Sequence, residues 1–206
     1  MGNYIAIVDY GAGNLMSVHN SLDFLGYDNK IASTPDDLAG ASGVILPGVG
    51  AFPDAMQALK DSGLLEAVLD AAQKKPFLGI CLGMQMLFEQ SEEVRPCEGL
   101  GLLPGSIKRI QTDYKLPQIG WNGLHIVHPN ALTQGLNEGD AVYFVHSFAA
   151  CPTDPADLAC VTDYGVEVPA MVARGGVFGC QFHPEKSGEV GLRILKNFAT
   201  LTEERA

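Results

Sequence analysis

The chain has no apolar run approaching the ~18 residues of a membrane span. Its stretch "GVILPGVGAF" is cut by Pro47 and by glycines, and the opening segment is interrupted by Asp9 and Gly11. Neither a spanning helix nor a secretory leader is therefore expected. Basic residues are few: 13 Lys and Arg stand against 24 Asp and Glu, a net charge of −11, which argues against a nucleic-acid partner. The acidity is dispersed, as in Asp36-Asp37, Glu92-Glu93 and Glu203-Glu204, and reads as solvated surface. Cysteine is equally sparse: five residues, 81, 97, 151, 160 and 180, an odd number with no Cys-x-x-Cys pair. That pattern speaks against a disulfide framework and against a zinc site. His19, His125 and His128 show no metal spacing and read as surface or packing residues. Together with the lack of an Asn-x-Ser/Thr acceptor, these absences lead to the expectation of a cytoplasmic chain with no metal.

What remains is an ordinary globular composition, 47% hydrophobic and 18% charged over 206 residues, with no repeat and no linker. One domain spanning 1–206 is expected. Tyr4 to Val8 is a β-rich run closed by "DYGAGN". Leu15, Val18, Leu22 and Leu25 then form a helical stripe that Gly26 ends. A second strand is expected around Asn29 to Ala32. "TPDD" opens a helix, with Thr34 as N-cap and Pro35 in the first position. Gly43 to Leu46 reads as a third strand. Phe52, Met56 and Leu59, then Leu64, Leu65, Val68, Leu69 and Ala72, mark further helices. Pro76 to Ile80 is a strand, and Met84 to Gln90 is expected to be helical. Such β/α alternation predicts a parallel sheet with helices on both faces. From residue 100 onward strands dominate, with a hairpin about Gly175-Gly176, before a final helix from about Glu189 to Glu203. The expected fold is α/β: a central, mostly parallel sheet flanked by helices, with extra antiparallel strands in the C-terminal half.

"DYGAGNLMS" has the outline of a dinucleotide fingerprint but not its substance. Met16 occupies the third glycine position, and Lys30 stands where an acidic residue is needed. A tight βα turn is the better reading. "GICLG" has more content. It places Cys81 between glycines, after an apolar strand and before a helix, in the form of a nucleophile elbow. There the sulfur lies above a helix start, and the Leu82 amide can face a developing oxyanion. A cysteine in such a short motif is as often a packing residue, and "FGCQFHPEKS" changes the balance. Pro184 biases His183 toward an extended conformation, in which His183 and Glu185 share a face while Phe178, Cys180 and Phe182 take the other. A histidine oriented by a carboxylate is what a cysteine nucleophile requires. "LPGVGAF" follows the third strand, and its glycines make a peptide rotation near Val49-Gly50 inexpensive, suiting a second oxyanion donor. His146, ending the strand "YFVHSF", reads equally as a structural cap or a site edge. Trp121, the one tryptophan, reads as a core or hairpin residue or as an interface anchor.

On "GICLGMQ" and "HPE" the chain resembles the class I glutamine amidotransferases, whose triad is Cys-His-Glu. "DYGAGNL", "PGVG", "GWN", "YFVHS" and "QFHPEKS" are similar to one group within them, the glutaminase subunits of imidazole glycerol phosphate synthases. The likeness runs nearly end to end. It implies Cys81 as nucleophile, His183 as acid–base and Glu185 as its orienter, with an oxyanion hole from Leu82 and the Val49-Gly50 peptide. It further implies that Gln85 and the backbone of His146, Ser147 and Phe148 hold glutamine. Asn14, Trp121, Asn122, Tyr143 and Lys186 would lie toward a partner. Phe148 stands where tyrosine is usual, and Met16 where a polar or basic residue is. The implied chemistry is glutamine hydrolysis without any cofactor. Ammonia would pass to a (β/α)₈ cyclase in a heterodimer that serves histidine biosynthesis. Two alternatives differ from this: the glutaminase of another synthase, for anthranilate or pyridoxal phosphate, and an inactive regulatory subunit. "PGVG", "GWN" and "YFVHS" weigh against the first, and the intact Cys and His-x-Glu motifs against the second.

Overall fold

The structure, a computed structural model, describes residues 4–204. In chain order its elements are β1 (Ile5–Val8), α1 (Leu15–Phe24), β2 (Asn29–Ala32), α2 (Pro35–Gly40), β3 (Gly43–Gly48), α3 (Phe52–Asp61), α4 (Leu65–Lys74), β4 (Phe77–Cys81) and α5 (Leu82–Met86). They continue as β5 (Phe88–Ser91), β6 (Cys97–Glu98), β7 (Leu103–Arg109), β8 (Gln118–Gly123), β9 (His125–Ile126), β10 (Ala141–His146), β11 (Phe148–Pro152), β12 (Leu158–Asp163), β13 (Glu167–Arg174), β14 (Val177–Cys180) and α6 (Gly188–Glu204).

The main sheet has eight strands in the order β2-β1-β3-β4-β14-β13-β12-β9. Pairing is parallel from β2 through β14 and antiparallel beyond it. The parallel strands are buried on both faces, as helix-covered sheets must be. Alternate residues feed two apolar layers. Ala6, Val8, Val44 and Leu46 pack with Leu38 of α2, Met56 of α3 and Val68 of α4. Ile5, Ile7, Ile45 and Ile80 pack with Val18 and Leu22 of α1 and with Ile194, Leu195 and Phe198 of α6. The second half adds a four-stranded sheet, β11-β7-β5-β6, and the pair β10-β8. Thr34 caps α2 as its sequence predicts: its hydroxyl accepts from the Asp37 amide, the Asp37 carboxylate accepts from the Thr34 amide, and Pro35 follows.

One expected element differs. The helix after Cys81 ends at Met86, and residues 88–91 form β5 instead of continuing to Gln90. Phe88 pairs with Leu103 and Ser91 with Ile107, so ladder bonds to β7 replace helical ones and override the local apolar pattern.

The order of the strands decides where chemistry can occur. β3, β4 and β14 are adjacent and parallel, with Gly48 opposite Cys81 and Cys180 opposite Ile80. The segments leaving their carboxyl ends, "PGVG", "CLG" and "QFHPE", therefore emerge side by side, at the edge where open α/β sheets carry their sites.

Candidate active site

Cys81 closes β4 in a conformation that L-residues rarely adopt, φ 55° and ψ −111°. The flanking glycines make this possible. A Cβ on Gly79 would lie 2.6 Å from the Gly83 carbonyl oxygen, and one on Gly83 would lie 1.8 Å from that of Leu46. Strand and helix thus touch backbone to backbone, and the sulfur is left on a strained turn facing a cleft of about 320 Å³. Val49, Gly50, Leu82, Gln85, His146, Ser147, Phe148, His183 and Lys186 also line that cleft. Gly50 adopts φ +99°, where glycine carries no steric penalty.

His183 has extended dihedrals, but Pro184–Lys186 form a tight 3₁₀ turn instead of a continued extended strand. The turn still brings the carboxylate to the ring: His183 Nδ1 donates to Glu185 Oε1 at 2.8 Å. With Nδ1 committed there, the other ring nitrogen is left for the Cys81 thiol, which lines the same cleft. Burial alone disfavours the imidazolium, yet the bonds to Cys81 and Glu185 outweigh it and raise the His183 pKa to about 9. The loop is anchored to β10, because the His183 amide donates to the Tyr143 carbonyl at 3.0 Å and Ser187 Oγ to the His183 carbonyl at 2.6 Å. Asn14 does not cap α1. Its Nδ2 donates to Glu185 Oε1 at 3.1 Å, and Ser17 Oγ donates to its Oδ1 at 2.9 Å, so it steadies the carboxylate from behind.

Three side chains that sequence reasoning passed over, Glu93, Tyr10 and Gln181, lie at or behind the cleft. Glu93, counted with Glu92 as surface acidity, lines it, and its carboxylate accepts from the Phe52 amide at the start of α3 at 2.8 Å. Its amide donates to Ser91 Oγ at 3.1 Å, so a Ser-x-Glu turn two residues earlier was the available signal. Tyr10 is buried and donates its hydroxyl to the Pro47 carbonyl at 3.0 Å; burial, then proximity to Cys81, pushes its pKa up. Gln181 is fully buried between Gln85 and Cys81. Strand alternation, which put Cys180 and Phe182 in the core, already placed Gln181 on the face of His183. The imidazole of His146, which the sequence leaves open between a structural cap and a site edge, lies at the cleft. Its Nδ1 donates to the Phe148 carbonyl at 2.8 Å. Burial, reinforced by nearby His183 against that bond, lowers its pKa to about 4, so the ring is neutral.

The sequence profile described as "Glutamine amidotransferase class-I" matches residues 6–201. The chain belongs to the class I glutamine amidotransferase family. Among its relatives are proteins named imidazole glycerol phosphate synthase subunit HisH. One, from Bacillus cereus strain G9842, is 51% identical over 204 residues, covering 97% of this chain and 95% of the relative. Another, from Bacillus thuringiensis strain Al Hakam, is 48% identical over 201 residues with the same coverage. Solved structures share the fold. A glutamine amidotransferase crystal structure superposes with a TM-score of 0.75 at 19% identity, covering 96% of this chain and 98% of that one. The structure of PurLQS from Thermotoga maritima gives 0.75 at 21%, covering 97% and 99%.

Of the other sequence candidates in this class I amidotransferase, Lys186 lines the cleft, while Trp121 and Asn122 lie on β8. Trp121 is 57% exposed on β8, and its ring meets Tyr143 of the paired strand β10 edge-on at 6.1 Å. Asn122, beside it, binds inward: its Nδ2 donates to the Asp163 carbonyl and its Oδ1 accepts from Gln118. Lys186 is exposed at the cleft rim. Burial pushes the Cys180 thiol well up and that of Cys160 to about 12, leaving both as packing residues. No helix among the described residues is long and apolar enough to cross a membrane.

Proposed function

We propose that this amidotransferase is the glutaminase subunit of an imidazole glycerol phosphate synthase, with residues 1–206 acting as one domain. The observation that carries the mechanism is the meeting of Cys81, on its strained turn, with His183, itself held by Glu185 at 2.8 Å. Glutamine enters the cleft with its side-chain carboxamide over the sulfur. Cys81 thiolate adds to the carbonyl carbon, and the amides of Leu82 and the Val49-Gly50 peptide receive the oxyanion. His183 gives its proton to the departing amine, so ammonia leaves and a γ-glutamyl thioester remains. Water, deprotonated by the same imidazole, then attacks the thioester, releasing glutamate and restoring the thiolate beside an imidazolium. Glu185 holds the ring and supports the imidazolium throughout.

Both amide hydrogens of Gln85 are already committed, to Phe148 O at 2.9 Å and Gln181 Oε1 at 3.0 Å. Gln85 therefore offers glutamine an acceptor, its own Oε1. Glu93 supplies the negative charge for the α-ammonium, and the peptides of His146, Ser147 and Phe148 frame the amino-acid end. Ammonia passes on to a cyclase partner of (β/α)₈ architecture that docks over Trp121, Tyr143 and Lys186. Channelling has a physical reason: bulk water near pH 7 would convert ammonia to ammonium, which is not nucleophilic.

The test is a cyclase assay with the two nitrogen sources compared. Cys81→Ala should abolish glutamine-dependent turnover and leave ammonia-dependent turnover intact. Glutamate release at the wild-type rate from that variant would refute the assignment.

A further inference from the structure

We propose that Gln181 is a positioning residue that holds an N–H on the Cys81 sulfur, opposite His183, with its direction dictated by the Phe148 carbonyl. This deepens the glutaminase reading and rests on it.

The chain of reasoning starts from an atom whose role cannot change. The Phe148 carbonyl oxygen can only accept. It receives His146 Nδ1 at 2.8 Å and Gln85 Nε2 at 2.9 Å, which fills its two lone pairs and forbids the Gln85 amide from turning over. The second Gln85 hydrogen points to Gln181 at 3.0 Å, so Gln181 must present its oxygen there. Its nitrogen is then forced toward Cys81, where Nε2 lies 3.9 Å from Sγ. Two amides thus carry one instruction from the start of β11 to the nucleophile. Gln181 is completely buried, and Gln85, His146 and Cys81 are nearly so. In a dry pocket a donor aimed at sulfur gains strength as negative charge develops there. At 3.9 Å the contact in the resting site is weak, and it strengthens as thiolate forms.

The same geometry links two tasks. Gln181 keeps Gln85 in the orientation that offers Oε1 to the substrate, and it holds the sulfur against drift away from the imidazole. Its two ends should therefore separate on mutation. Gln181→Glu keeps an acceptor for Gln85 but replaces the donor at sulfur with negative oxygen. Gln181→Met keeps the length and removes both bonds.

The probe is iodoacetamide, which alkylates the thiolate without needing glutamine, alongside steady-state glutamine hydrolysis with the cyclase present. Gln181→Glu should lower the Cys81 alkylation rate at pH 7 by roughly tenfold, the effect of losing a hydrogen bond to a charged group. It should also move the pH profile of alkylation upward, reduce kcat, and change KM little. Gln181→Met should reduce kcat and raise KM as well, because Gln85 then loses one of its two anchors and is held by the Phe148 carbonyl alone. Should a variant not fold, the intact protein still answers. The side-chain amide resonance of Gln181 should shift in step with the alkylation profile, and the shift should vanish in Cys81→Ala. Wild-type alkylation profiles in both variants, or an amide resonance indifferent to Cys81, would overturn the proposal while leaving the glutaminase reading untouched. If instead alkylation responds as described and glutamine is not hydrolysed even by the wild type, the glutaminase reading is what fails.

Discussion

Raising the pH from 6.5 to 10 should destabilise this protein more steeply than it destabilises a His183→Asn variant. The native imidazole has a pKa raised from 6.5 to about 9, while the unfolded chain titrates near 6.5. Across that window the folded state keeps a proton that the unfolded state has released. The associated stabilisation is complete below pH 6.5 and is lost as pH rises through about 9. At 1.36 kcal/mol per pKa unit the loss is roughly 3 kcal/mol. The side chain is 3% exposed and its Glu185 partner 0%, so solvent screening removes little of it. That is a large share of the 5–15 kcal/mol typical of a domain. Because His183 is bonded to Glu185 and lies beside Cys81, the variant reports the loss of those contacts together. Urea unfolding at half-unit pH steps, followed by far-UV circular dichroism, is the assay. Trp121 is too exposed to be a clean fluorescence probe. Stability curves for the two proteins that stay parallel from pH 6.5 to 10 would refute the reasoning.

His146 predicts an opposing limb at low pH. Its folded pKa lies at about 4, so stability is complete above 6.5 and falls as pH drops toward 4, by up to roughly 3 kcal/mol. A His146→Asn variant should lose less over that range in the same titration, and an identical acid slope would contradict this. Gly83→Ala should cost about 3 kcal/mol or more, because its Cβ would sit 1.8 Å from the Leu46 carbonyl oxygen. Gly63→Ala, with open space around it but φ +73°, should cost about 1 kcal/mol. Thermal melts that rank the two alike would show that the backbone contact at the elbow is not the constraint.

The parallel half of the fold was legible because its signals are local. Capping at Thr34, the helical stripe of Leu15 to Leu22, and glycine on both sides of Cys81 each carry their physical reason within a few residues. The pairing of His183 with Glu185 was legible for a related reason, since the two are neighbours in the chain. What could not be read was set by partners far away in sequence. β5 exists because β7 pairs with it, and nothing in residues 88–91 says so. Glu93 was counted as surface because acidic pairs usually are, and only the Phe52 amide turns it inward. The resemblance placed Asn14 toward a partner, and nothing near it in sequence says that its amide also answers to Glu185 across the chain. Gln181 sat in plain alternation with core residues. Its purpose emerges only when the Phe148 carbonyl is known to lie at the end of the same network.

The placement of β14 has a consequence for how the protein comes into being. That strand, residues 177–180, fills the position between β4 and β13 at the middle of the main sheet. While the ribosome is still making the preceding residues, β4 is bordered on one side only, and an unpaired, buried-type edge is exposed to misassembly. The hairpin with β13 that closes this gap also delivers the imidazole to the sulfur. On the proposed glutaminase reading, completion of the sheet and arming of the nucleophile are then one event, and a nascent chain stalled before its last fifth would have a thiol without a base.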